Sequence, residues 1–313
     1  MDSKTLNAEQ DNILRIASYH RRDFDLAVAR VNPADETLRN SLLRPSPIVT
    51  ATLGDLSTLP MEILWEIFQH LDIVSLLNIR HVNKRAAHIV AAIPSYRVVV
   101  EHALDTLCVV LRTKIAPYYT FSDLQTILYL KSCSICGSFG GFVFLPSLTR
   151  CCFSCAESAL EFRLITSSDL KRFFKQTFRQ VSKLVPVLKS LPGMYSRGEA
   201  LRKRSVQLLS LQQTTDALKK QPAGDIHMYK EAPLVSYMAT TAMPFVEKAT
   251  GVAEHGVACA GCRAAIEDED VMSTEELFVL HDRLYSRDEF LRHFKKCKRA
   301  QEIWQSSNSQ TIP

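Results

Sequence analysis

Large apolar side chains recur at helical spacing through residues 59–93, LPMEILWEIFQHLDIVSLLNIRHVNKRAAHIVAAI. A unit of about 35 residues cannot bury that much apolar surface by itself. Pro60 suits the first turn of a helix, where a missing N–H costs nothing, and Glu62 complements the positive end of the helix dipole. Ile63, Leu64, Ile67, Phe68 and Leu71 then form one broad stripe. Asp72 is placed to cap a second helix carrying Leu76, Leu77 and Ile79. Asn83 is placed to cap a third, which stops before Pro94. The surplus implies either packing on the rest of the chain or a partner.

Elsewhere the pattern is less dense. Residues 1–54 lack a strong apolar repeat, apart from a helix expected over 12–31 and stopped by Asn32-Pro33. Pro45 and Pro47 read as an extended linker. The whole segment is expected to be a partly ordered arm. Helical spacing continues over 96–112, and Thr120 with Asp123 three residues on predicts a helix over 120–130. Ser167 or Ser168 is positioned to cap a helix over 169–179. Beyond Gln180 the pattern weakens: Val181, Leu184, Val185, Val187 and Leu188 fit a strand or a helix end equally, as does 205–211. No repeat with a period of about 20 to 50 residues points to a solenoid or propeller.

Composition narrows the class. A chain of 313 residues with 46% hydrophobic and 23% charged content has room for one large or two ordinary globular domains. Its net charge of +5 permits nucleic-acid contact without demanding it. The start, MDSKTLNAEQDN, does not read as a secretory signal. No run reaches the ~18 apolar residues of a membrane span, since Glu101, His102 and Asp105 interrupt 98–111. A cytoplasmic or nuclear location is expected, where nine cysteines serve as metal ligands rather than disulfides.

The cysteines are spaced accordingly. Cys133-Ser-Ile-Cys136 and Cys152-Phe-Ser-Cys155 are separated by fifteen residues, the spacing of a zinc-ribbon-like site. Each short turn brings two soft thiolates to one ion, and Gly137, Gly140 and Gly141 let the backbone turn just past the first pair. Residues 142–145 fit a strand between the two halves. Cys151 rivals Cys152, which is preferred because it keeps the two-residue spacing. Nearer the end, Cys259-Ala-Gly-Cys262 is followed by His293 and Cys297, on one face of a helix opened by the capping box of Ser286 and Glu289. These four make a Cys₃His set over 259–297, a clasp closing a larger loop, with His281 a second candidate. Four protein ligands leave no open position, so both sites are expected to be structural.

Residues 163–204 carry eleven Lys/Arg against Asp169 and Glu199, interleaved with Phe173, Phe174 and Phe178. A nucleic-acid reader, a solvated helix face and a docking surface for an acidic substrate all fit this stretch, and residues 267–270 are a candidate internal partner. No metalloprotease helix, phosphate-cradling glycine loop or serine elbow is present.

Leu59-Pro60, Glu62-Ile63-Leu64, Ile67-Phe68, Leu71-Asp72, Leu76-Leu77, Arg80 and Val82-Asn83-Lys84 together resemble the F-box, over about a ninth of the chain. Ala86 departs from the pattern, standing where many F-boxes carry tryptophan. The resemblance implies a non-catalytic substrate receptor of an SCF-type cullin–RING ubiquitin ligase. Its adaptor-binding residues, against a Skp-type adaptor and through it cullin, would be Leu59, Pro60, Ile63, Leu64, Ile67, Phe68, Leu71, Leu76 and Leu77. With the cysteine-rich middle and the terminal SRDEFLRHFKKCKRAQEIW helix, the chain resembles a group of fungal F-box proteins, which implies zinc at both sites. The alternative is a zinc-containing nucleic-acid-binding or transcription-associated protein. The fold class expected is mainly α, α+β overall: a three-helix F-box at 55–97, then a zinc-stabilised, partly irregular α+β domain over 98–313.

Overall fold

The computed structural model describes residues 3–32, 36–43, 52–220, 222, 232–268 and 275–309. Helix α1 (Ser3–Ala17) leads through a two-residue strand β1 (Ser18–Tyr19) into α2 (Arg22–Ala27), and α3 (Glu36–Leu43) follows. Within the arm expected over 1–54, the described residues pack against the rest of the chain. Ala17, Phe24, Ala27, Val28, Ala29 and Leu42 are all buried. Nor is there one helix over 12–31: the backbone turns extended at Ser18 to pair with residues 258–259, so a distant partner overrides local helical spacing. Pro33, Pro45 and Pro47 lie outside the described residues.

Helices α4 (Met61–Gln69), α5 (Ile73–Val82) and α6 (Lys84–Ala92) form the expected three-helix unit. Asp72 accepts from the N–H groups of Val74 and Ser75 at 2.9 and 3.0 Å, and Asn83 from that of Ala86 at 2.8 Å. Ala86 is wholly buried, so the site has no room for a tryptophan without repacking. Pro94 opens α7 (Pro94–His102), which breaks at Ala103 before α8 (Leu104–Arg112), so the helical run expected over 96–112 is two helices. Helix α9 (Phe121–Leu128) has the Thr120–Asp123 capping box in place.

The rest is α+β. Strands β2 (Phe142–Phe144) and β3 (Thr149–Cys151) form a hairpin leading into α10 (Phe153–Ser158). Strand β4 (Leu164–Thr166) precedes α11 (Ser167–Phe174) and α12 (Phe178–Val181). The single helix expected over 169–179 is divided because Lys175 takes a left-handed conformation with φ of 53°. Its cap is Thr166, not Ser167 or Ser168. Strands β5 (Leu188–Lys189), β6 (Gly193–Tyr195), β7 (Ala200–Arg202) and β8 (Gln207–Ser210) follow, then α13 (Leu211–Leu218) and α14 (Ala232–Met238). Strands β9 (Thr240–Ala242), β10 (Phe245–Val246), β11 (Ala253–Glu254) and β12 (Ala258–Cys259) precede α15 (Ala260–Glu267), α16 (Glu275–His281), α17 (Arg287–Phe294) and α18 (Lys298–Ser309). Among the described residues no helix is long and apolar enough to cross a membrane.

Two three-stranded antiparallel sheets, β3-β2-β9 and β4-β8-β5, lie against this frame. Phe142 faces Cys151 on one side and Ala242 on the other. The main core runs from α4–α6 through α7–α9 to the first sheet. Two smaller cores gather around Cys259 and Phe290, and around Phe174 and Leu209. Arg150 on β3 is 1% exposed and spans the first sheet: its Nε, Nη1 and Nη2 donate to the carbonyls of Leu130, Met243 and Pro244 at 2.9, 2.7 and 2.6 Å.

Two candidate metal centres and a candidate docking face

The same local device builds half of each metal centre. A short strand ends at a cysteine that caps the following helix, and a second cysteine lies in that helix's first turn. Cys152 caps α10, and its sulfur accepts from the N–H of Cys155 at 3.4 Å. Cys259 caps α15, and its sulfur accepts from the N–H of Cys262, also at 3.4 Å. A helix N-terminus favours a thiolate over a thiol, so both turns suit ionised sulfur.

The other halves differ. Cys133 and Cys136 sit on a tight turn whose exit, Gly137, has φ of 72°, a conformation that favours glycine. The Cys133 N–H bonds to the carbonyl of Ser138 at 2.7 Å, holding the turn closed. Cys136 and Cys152 sulfurs are 3.6 Å apart. In the second centre His293, on α17, places Nε2 3.3 Å from the Cys262 sulfur, and Cys297, just past α17, lies 3.8 Å from Cys259. The sets Cys133, Cys136, Cys152, Cys155 and Cys259, Cys262, His293, Cys297 each bring four donor atoms within 4.8 Å of one another. Both are able to hold a metal ion.

Proton sharing sets the electrostatics of each cluster. A hydrogen bond with Cys152 holds Cys133 down to about 4, well below the thiol range, while Cys152 is raised. Hydrogen bonds with Cys259 and Cys262 likewise hold Cys297 far down, and Cys262 rises. Burial would lower His293, but hydrogen bonds with Cys259 and Cys297 outweigh it and raise the imidazole to about 9. Metal uptake needs thiolates and a neutral imidazole, so it displaces these protons.

Cys151, the rival ligand, lies fully buried in β3, and burial raises its thiol; Cys152 takes the cluster position. His281 is not in the second set. It ends a helix, with Nδ1 2.9 Å from Asp282 and its carbonyl accepting from buried Arg21 at 2.9 Å.

Three contributors had no signal in the sequence. Tyr285 stacks on His293 with ring centroids 4.7 Å apart, and its hydroxyl lies 3.4 Å from Nδ1, which orients the ring and leaves Nε2 for a metal. Residues 18–29 run past both centres. Ser18 pairs with Cys259 at the second, and Phe24 stacks on Phe153, between Cys152 and Cys155, at 3.8 Å. Gly261 allows α15 to meet α18: a Cβ there would stand 2.3 Å from the backbone nitrogen of Ala300. Gly261→Ala is therefore expected to destabilise the protein by about 2–3 kcal/mol and to lower metal content at the second centre alone. Thermal melting and elemental analysis read both effects.

The helix α4 stripe divides in two. Leu64 and Phe68 are 3% and 2% exposed, and with Leu76 and Leu77 they belong to the core, so these four hold the unit together. Leu71 is half-buried. Leu59, Ile63 and Ile67, four residues apart, remain 36%, 47% and 45% exposed, with Pro60 exposed beside Leu59. No curated protein and no solved structure matches the chain. The F-box domain model matches residues 56–97, which take in α4, α5, α6 and the start of α7. Residues 56–97 of this chain are an F-box domain.

Proposed function

We propose that the chain is a non-catalytic substrate receptor of an SCF-type cullin–RING ubiquitin ligase, docking to a Skp-type adaptor through its F-box domain. The exposed row Leu59, Ile63 and Ile67 carries this reading, because the domain's own core leaves it uncovered. Transfer chemistry belongs to partners, and this chain supplies proximity and orientation.

Two structural zinc ions organise the remainder in this reading. A tetrahedron of thiolates at the ~2.3 Å Zn–S bond has edges of about 3.8 Å, close to the sulfur separations of 3.6 and 3.8 Å. Thiolate and imidazole donors favour zinc over harder cations, and four protein ligands leave no position for a reacting water.

Ile67→Asp places a charge in the centre of the row while leaving Leu64 and Phe68 packed. Adaptor affinity is expected to fall about 100-fold or more, with zinc content and melting temperature unchanged. Titration against the purified adaptor checks this, and undiminished binding would overturn the docking assignment.

A further inference from the structure

The third core supports a layer with an unusual outer face. Ile165 and Leu209 stand opposite one another on β4 and β8, and they pack with Leu170, Phe173, Phe174, Val181 and Val185. Leu164, Leu188 and Leu208 belong to the main core. Helices α11 and α12 thus cover one side of the β4-β8-β5 sheet, and their remaining positions meet solvent. Lys171, Arg172, Lys175, Arg179 and Lys183 are all exposed there, with Lys189 exposed on the edge strand β5. Lys219 and Lys220 stand at the end of α13, where Lys220 Nζ reaches the carbonyl of Phe174 at 3.2 Å.

Among the described residues the charge is not neutralised from within. No acidic residue occurs between Asp169 and Glu199. Asp169 is engaged in its cap, accepting from the Thr166 N–H at 2.9 Å. Of the internal partner expected at 267–270, Glu267 pairs with Arg263 and Asp268 with Arg299, and residues 269 and 270 lie outside the described residues. Among the described residues none of Lys171, Arg172, Lys175, Arg179, Lys183 and Lys189 pairs with a carboxylate.

Two details decide what kind of anion fits. Phe173 and Phe174 point into the core, and Phe178 is half-buried, so the interleaved aromatics offer no platform on which bases could stack. Leu184, directly after Lys183, is 59% exposed within the cationic face. Phosphate backbones make no use of an apolar side chain, whereas a polypeptide does.

We propose that this outer helical layer is a recognition surface for an acidic segment of a partner protein that carries an apolar side chain among its carboxylates. The inference rests on the receptor reading only in calling that partner the substrate.

Fluorescence anisotropy on the full chain tests it with three probes: an acidic peptide of about ten residues with a central leucine, the same peptide with serine there, and random-sequence duplex DNA. The leucine peptide is expected to bind best, with affinity falling steeply between about 50 and 200 mM salt. Combining Lys171→Glu, Lys175→Glu and Arg179→Glu should weaken it at least tenfold. Leu184→Ser, at an exposed position, should abolish only the preference for leucine over serine. Ile67→Asp should bind the peptide normally, which separates failure of this surface from failure of adaptor docking. Tighter binding of DNA, equal binding of the two peptides, or no loss in the triple variant would overturn the proposal.

Discussion

Cys297→Ser is expected to lower the zinc content from about two ions per chain to about one and to release the N-terminal segment. Cys297 joins Cys259 at 3.8 Å, and the core around them includes Ala17, Cys262, Tyr285, Phe290 and Ala300. That core is small, with seven buried hydrophobic residues, so a bound metal would carry much of its cohesion. Structural zinc contributes about 10–16 kcal/mol in isolated finger peptides, although only part of this would appear here because the main core persists. The pairing of Ser18 with Cys259 and of Tyr19 with Ala258 should open with the clasp. Hydrogen exchange should then quicken over residues 3–19, while α5 and α6 keep their protection. The first centre should retain its ion, since its four sulfurs are untouched. Two zinc ions in the variant, or unchanged exchange at the N-terminus, would refute the clasp.

The second large effect is expected at Arg150. Three nitrogens of one side chain satisfy three main-chain carbonyls in a site almost closed to water. Burial lowers its pKa to about 10, which still leaves it cationic at neutral pH. Arg150→Met keeps much of the volume but strands all three carbonyls at once, at a cost of about 3–5 kcal/mol. Arg150→Lys should recover little, because a lysine ammonium cannot reproduce the planar fork. A fall of roughly 10 °C in melting temperature is the expected reading, with a similar fall for both variants. A methionine variant as stable as the parent would show that the carbonyls find other partners.

What the sequence disclosed and what it hid differ in range. The caps at Asp72, Asn83 and Thr120 act over two or three residues, so their side chains announce them. The metal sets were legible because each half is a local turn of fixed spacing, which also separated Cys152 from its neighbour Cys151. The division of the α4 stripe was not legible. Leu64 and Ile63 are chemically alike, and only the placement of α5 and α6 decides which one the core takes. Strand β1 was hidden for the same reason in stronger form. Two residues, Ser18 and Tyr19, become extended solely because residues 258–259 lie beside them. Arg150 reads as an ordinary surface cation until the backbone of Met243 and Pro244 is brought over it.

The pairing of Ser18 with Cys259 also sets an order of events in synthesis. Ser18 must wait for a partner 241 positions later, an interval of about 12–48 s at roughly 5–20 residues per second. Over that time the F-box domain can assemble from contacts made locally. Ser18 and Tyr19, meanwhile, remain without their strand partner. Strand β1, made before the F-box domain, thus reaches its place after it, once Cys259 has emerged.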